Sequence, residues 1–178
     1  MQLLENRINA QSITVMVQKE VAERMRAVPG TKDYGALSLA VQYYSEPYIA
    51  ANVPPNCFMP RPNVGSAVIR LTRREKPAVQ SKSENLMFSI IRAAFNQRRK
   101  TLVNAVKNFS GFPVIGGMIE KEKIERAIQK AGLSMTIRGE AMGLSEYAIL
   151  TDELINDGIK LLDEKSQEYE MKFQNKRK

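Results

Sequence analysis

The chain contains no histidine and a single cysteine, Cys57. Without an imidazole there is no Ser-His-Asp relay, and nearly all zinc sites lose a usual ligand. One cysteine cannot close an internal disulfide, which suits a reducing compartment. With no histidine to activate it, Cys57 is not read as a nucleophile. No apolar run approaches the ~20 residues of a membrane-spanning helix, and nothing at Met1 reads as a signal peptide. A glycine-rich cofactor loop is also missing, because Gly30, Gly35 and Gly65 do not form a G-x-G-x-x-G pattern behind a strand. These absences predict a soluble, cytoplasmic protein with no metal and no membrane partner.

What is present is a basic chain of 178 residues with net charge +8, enough for one ordinary domain or two small ones. Hydrophobic residues make up 43%, so a core can form and disorder throughout is excluded. The positive balance favours an anionic partner. Ser12 to Gln18 is β-branched and apolar, a composition that predicts a strand buried on both faces, as in a parallel sheet. Lys19 to Arg26 reads as a short helix with Val21, Ala22 and Met25 inward, ended by Pro29-Gly30. A second short helix follows over Leu37 to Tyr44. Two further strands are expected at Tyr48 to Val53 and Ser66 to Thr72.

Arg73 to Ser83 is polar and charged and reads as a linker. Helical spacing then takes over. Leu86, Met87, Ile90, Ile91, Ala94 and Phe95 fall on one stripe, with Ser83 as N-cap. A second helix should turn Leu102, Val103, Val106 and Phe109 inward. A third, from about Glu120 to Ala131, should bury Ile124, Ala127 and Ile128 and stop at Gly132. A fourth starts near Ser145 with Tyr147, Leu150, Leu154 and Ile155 inward, and is expected to run on through Leu161 and Leu162, with Gly158 weakening it. The alternating charges of the tail 163–178 predict fraying.

Two segments carry candidate chemistry. Between Asn85 and Ile119 there are five basic residues (Arg92, Arg98, Arg99, Lys100, Lys107) and no acidic one. Three adjacent cations repel unless an anion screens them. If they open the second helix they also oppose its dipole, and a phosphate there would relieve both penalties. Asn96 and Gln97 add groups able to reach sugar, phosphate or base edges. A solubilising basic turn is the alternative. The other segment is Phe58 to Arg70, FMPRPNVGSAVIR, an aromatic ring on a loop stiffened by Pro54, Pro55, Pro60 and Pro62. Phe58 is either a core ring or a ring presented to an extruded base.

The motifs SITVMVQKEVAERM, YGALSLAVQYY, FMPRPNVGSAVIRL and AFNQRRKTLVNAV, in that order, resemble the ribosomal RNA small-subunit adenine dimethyltransferases. The erythromycin-resistance methylases are more distantly similar, and AFNQRRKT points to the ribosomal branch. The resemblance implies an α/β remnant, the last three strands of a Rossmann-like methyltransferase sheet, with the seventh between the fifth and sixth. A small all-α C-terminal domain would follow. The implied domains are residues 1–75 from the catalytic domain, a linker at 76–84, and an RNA-binding helical domain at 85–178.

The family places two methyl groups from S-adenosylmethionine on each of two adjacent adenines of small-subunit rRNA. By resemblance, Phe58 would face the target adenine, with Pro60, Pro62 and Asn63 shaping its pocket. Asn96, Gln97, Arg98, Arg99, Lys100 and Lys107 would contact rRNA in a precursor of the small ribosomal subunit. The family's glycine-rich loop, its acidic ribose ligand and its Asn-Leu-Pro-Tyr-type motif have no counterpart here. The expectation is therefore a truncated or split enzyme, inactive alone and without its own cofactor. Its edge strand Ser12–Gln18 would pair with the missing half or with another copy. A non-enzymatic RNA-binding or ribosome-assembly module is the competing reading.

Overall fold

The computed structural model describes Leu4 and residues 10–162. The expected fraying of 163–178 lies outside the described residues. The chain divides into two units. The first comprises residues 1–80 together with 140–145, and the second residues 81–139 and 146–178.

In the first unit three strands form one sheet: β1 (Ser12–Gln18), β2 (Ser45–Val53) and β3 (Ser66–Arg73). Their order is β1-β3-β2, and both pairings are antiparallel. Helices α1 (Lys19–Arg26) and α2 (Ala36–Tyr44) sit between β1 and β2 in sequence. Side chains alternate across a strand, so Ile13, Val15 and Val17 of β1 join Ala67, Ile69 and Leu71 of β3. That face packs with Ala22 and Met25 of α1 and Leu37 and Val41 of α2. Burying a side chain such as Ile69, fully enclosed here, contributes roughly 1.5–3 kcal/mol.

The other face of β1 is open, its exposure alternating residue by residue. This corrects the expectation of a strand buried on both faces. Apolar content alone does not report pairing direction, and an antiparallel strand can leave one face in water. Strand β2 begins at Ser45, earlier than expected. It is an outer strand, where Pro47 and its missing N–H are tolerated. The segment Glu140–Ser145 is tied to this unit by Gly30 N–H donating to Glu140 O (2.8 Å) and by the buried Tyr34 hydroxyl donating to Met142 O (2.8 Å).

The second unit is helical: α3 (Glu84–Asn96), α4 (Leu102–Lys107), α5 (Lys121–Lys130) and α6 (Leu144–Asn156). Its fully buried side chains include Leu86, Ile90, Leu102, Phe112, Ile128 and Tyr147. Ser83 caps α3, its hydroxyl accepting from Leu86 N–H at 3.2 Å. Helix α4 ends at Lys107, before Phe109. That ring is half-buried and meets Phe112 edge-on, centroids 4.9 Å apart. Helix α6 stops at Asn156 and does not continue through Leu161, which pairs with Val114 as an isolated antiparallel bridge. Gly158 at φ +85° makes the stop, so it terminates the helix instead of weakening it. Among the described residues no helix is long and apolar enough to cross a membrane.

Candidate nucleic-acid interface

In the first unit the β2–β3 connection carries the proline loop. Pro55–Cys57 form one 3-10 turn, closed by Cys57 N–H to Pro54 O (3.1 Å) and Phe58 N–H to Pro55 O (3.3 Å). The Met59–Pro60 peptide is cis. Phe58 and Pro62 are half-buried, while Pro60 and Asn63 are exposed. Met59 is 99% exposed at the tip. Lys19 N–H donates to Gly65 O (2.9 Å), which ties the loop's end to the start of α1. The four candidate pocket residues thus share one loop, and the Phe58 ring is neither sealed in the core nor fully in water. Arg61, between two of the prolines, is exposed and was missed as a candidate from sequence. Its position inside P-R-P was the available signal.

The basic segment belongs to the second unit. Helix α3 ends at Asn96, the chain turns with Lys100 N–H donating to Gln97 O (2.8 Å), and Thr101 is the N-cap of α4. Arg98, Arg99 and Lys100 therefore lie just ahead of the N-cap of α4 and do not open the helix. They follow the C-terminus of α3, whose partial negative charge favours cations, so part of their mutual repulsion is offset locally.

Asn96, Arg98, Arg99 and Lys100 are exposed and Gln97 is half-buried. Lys107 is exposed at the far end of α4. The segment 134–138 lies alongside, because Leu102 N–H donates to Ile137 O (2.8 Å). That bond brings the exposed Arg138 into the neighbourhood of the turn, a proximity that sequence spacing could not show.

A comparison within the unit sets this segment apart from an ordinary solvated helix face. On α5, Lys121 pairs with Glu125 and Lys123 with Glu120, while Arg126 reaches Asp157. Cations there are matched by acids, as on an ordinary helix surface. No acid interrupts the sequence from Asn85 to Ile119. Among the described residues, no carboxylate is paired with Arg99, Lys100 or Lys107.

The turn also encloses an open hollow of about 380 Å³, lined by Phe95, Asn96, Gln97, Arg98, Arg99 and Lys100. Phe95 was expected inward with the rest of its stripe, yet it is only half-buried while Leu86, Met87, Ile90, Ile91 and Ala94 are buried. It lies in the last turn of α3.

Among the described residues, neither β1 nor β2 is followed directly by a glycine-rich turn. Strand β1 passes straight from Gln18 into α1 at Lys19 with no glycine between, and β2 leads into the proline loop.

A family model described as ribosomal RNA adenine dimethylase matches residues 1–131. Two curated relatives bear the name Ribosomal RNA small subunit methyltransferase A. The one from Lachnoclostridium phytofermentans is 60% identical over 152 residues, 85% of this chain and 51% of the relative. The one from Clostridium perfringens is 51% identical, again over 85% of this chain and 50% of the relative. The chain thus spans about half the length of the curated relatives it matches. A solved dimethyladenosine transferase from Plasmodium falciparum superposes with a TM-score of 0.73 over 90% of this chain and 63% of that one. At 22% identity this shows a shared fold, and the three-stranded sheet with helices is part of that methyltransferase architecture. On the match across residues 1–131 and identities up to 60%, the chain belongs to the ribosomal RNA adenine dimethylase family.

Proposed function

We propose that this chain is the RNA-gripping and base-facing portion of an adenine dimethyltransferase acting on small-subunit rRNA. In the full enzyme, S-adenosylmethionine would donate methyl groups to N6 of two adjacent adenines. Its binding site would lie outside these residues. Residues 1–75 would contribute the base-facing loop, with Phe58 against the target adenine and Pro60, Pro62 and Asn63 around it. Residues 85–178, joined through 76–84, would dock on rRNA of a pre-30S particle in the cytoplasm through Asn96, Gln97, Arg98, Arg99, Lys100 and Lys107. A half-buried aromatic on a proline-restricted loop suits base capture, since such a loop has few conformations to lose on binding.

The observation that carries the docking role is the exposed turn Arg98-Arg99-Lys100 within a run free of acids. Replacing the three with Ala should weaken binding to an rRNA fragment. It should also flatten the log–log salt dependence by up to about one unit per lost phosphate contact. An unchanged slope rejects the role.

A second reading, an RNA-binding or ribosome-assembly module without catalysis, is favoured by the same turn, which needs no methyl donor to hold RNA. Labelled S-adenosylmethionine separates the two. Binding by the 178-residue chain supports an enzyme, and no binding supports a module.

A further inference from the structure

The tip of the proline loop carries a side chain that the base-facing reading leaves unused. Met59 is 99% exposed, whereas the next most exposed large apolar residue described, Ile115, is 65% exposed. Single apolar residues on a surface are common, so the placement of this one matters more than its exposure. It follows Phe58 directly, and Phe58 has extended backbone (φ −122°, ψ 149°). In an extended chain successive side chains point to opposite sides, and the half-buried ring and the solvated thioether alternate in that way. Pro60 and Pro62 restrict the backbone beyond. The loop is tied at both ends, by Phe58 N–H to Pro55 O (3.3 Å) and Lys19 N–H to Gly65 O (2.9 Å). Met59 is thus an adaptable side chain on a restrained backbone.

The charge around it suits an anionic chain. From Pro47 to Arg74 the sequence holds no acid. Of the arginines in that run, Arg74 pairs with Glu46 (2.8 Å) and Arg70 lies over the Tyr48 ring, 5.5 Å from its centroid. Arg61, two residues past Met59, is exposed, and among the described residues no carboxylate is paired with it.

We propose that Met59 is a wedge. As the target adenine turns out of its stack onto Phe58, Met59 enters the gap that the base leaves, and Arg61 meets a neighbouring phosphate. The proposal rests on the base-facing reading of Phe58 and adds a positioning residue to it. Extruding a base costs stacking energy, and the gap favours its return. An apolar side chain lodged between the neighbouring bases opposes that return, as inserted wedges do elsewhere in nucleic-acid complexes. Methionine is unbranched and fills irregular gaps.

The test uses the 178-residue chain and a stem-loop RNA with two adjacent adenines, one replaced by 2-aminopurine, which brightens on leaving a stack. The unaltered chain should raise the fluorescence. Met59→Ala should weaken binding about tenfold and lower the rise at saturation. It should leave the salt slope unchanged, since no charge is lost, and Met59→Leu should restore both readouts. A rise that survives Met59→Ala overturns the wedge and leaves the base-facing reading standing. No rise at any concentration of the unaltered chain removes base extrusion and the wedge with it. Equal weakening on a blunt duplex of the same stem also overturns the wedge. The same RNA with an abasic sugar at the target position separates the two residues. Met59→Ala should weaken binding there too, because the gap remains, whereas Phe58→Leu should cost nothing. No effect of Met59→Ala on the abasic RNA overturns the proposal.

Discussion

At the scale of single residues, Gly139 is the most tightly surrounded of the glycines tested by an added Cβ. A Cβ placed on it would lie 2.5 Å from Ala94 Cβ and 2.6 Å from the Tyr147 hydroxyl. The same hydroxyl donates to Gly139 O at 3.0 Å, so backbone and ring meet with no room between. Gly139→Ala should destabilise the protein by about 1–3 kcal/mol through overpacking, read as a lowered midpoint in chemical denaturation. Gly65→Ala, where the added carbon would meet Val53 O at an ordinary 3.7 Å, should shift it far less. Comparable shifts for both would reject the steric account. Local signals made some residues legible from sequence. Ser83 as a cap follows from a hydroxyl ahead of an apolar stripe, and the structure has that bond. Gly139 was not legible, because its neighbours Ala94 and Tyr147 arrive from other helices. Phe95 was misread for a related reason: periodicity says which side of α3 it occupies and nothing about whether that side is still covered at the last turn.

At the scale of elements, α5 and α6 end alike. Leu133 N–H reaches back to Ile128 O (3.0 Å) past Gly132, and Ile159 N–H reaches Leu154 O (3.3 Å) past Gly158. Both glycines have positive φ, +70° and +85°, and each closes the carbonyls that a helix end leaves open. Gly132 was read as a stop because the apolar stripe ended there. Gly158 was not, because Leu161 and Leu162 extend the apolar stripe in sequence. Leu161 instead serves the bridge to Val114.

Asp157 sits in the second of these turns and ties it to α5. It accepts from Arg126 Nη2 (2.7 Å) and Nε (3.0 Å), and from Lys130 Nζ (3.4 Å). The Arg126 hydrogen bonds hold the Asp157 carboxyl below its ordinary value of 3.8, with Lys130 adding to the effect. A carboxylate whose folded-state pKa is depressed stabilises the fold above its unfolded value. That contribution is lost as pH falls through the folded one. The thermal midpoint should therefore drop as pH is lowered below about 4, and Asp157→Asn should lessen the drop. Superimposable acid profiles for the two proteins would remove the clasp from the account.

At the scale of the whole molecule, the order β1-β3-β2 leaves β1 paired on one side only among the described residues. Ser12–Gln18 carries no charge, and Met16 is 53% exposed. An uncharged outer strand with unpaired N–H and C=O groups invites pairing with another strand. The partner would be the remainder of a full-length relative or a second copy of this chain. The isolated chain should show concentration-dependent association in sedimentation velocity. Met16→Lys should shift it towards monomer, since charge on an outer strand opposes strand pairing. A monomer at every concentration tested would count against this role for β1.

The sequence by itself determined the kinds of element, most of the buried stripe in each helix, and the family, because caps, glycines, periodicity and contiguous motifs are written in neighbouring residues. Composition suggested burial for β1 but could not say which faces of the sheet are covered, since that depends on which strands pair and how. Only the tertiary structure decided that β1 is half-open, that residues 140–145 return to the first unit, and that Leu102 and Ile137 stand side by side. It also left the Phe95 ring half-buried. Each of these depends on segments distant in the chain, or on where the chain turns in space, and no local pattern encodes that.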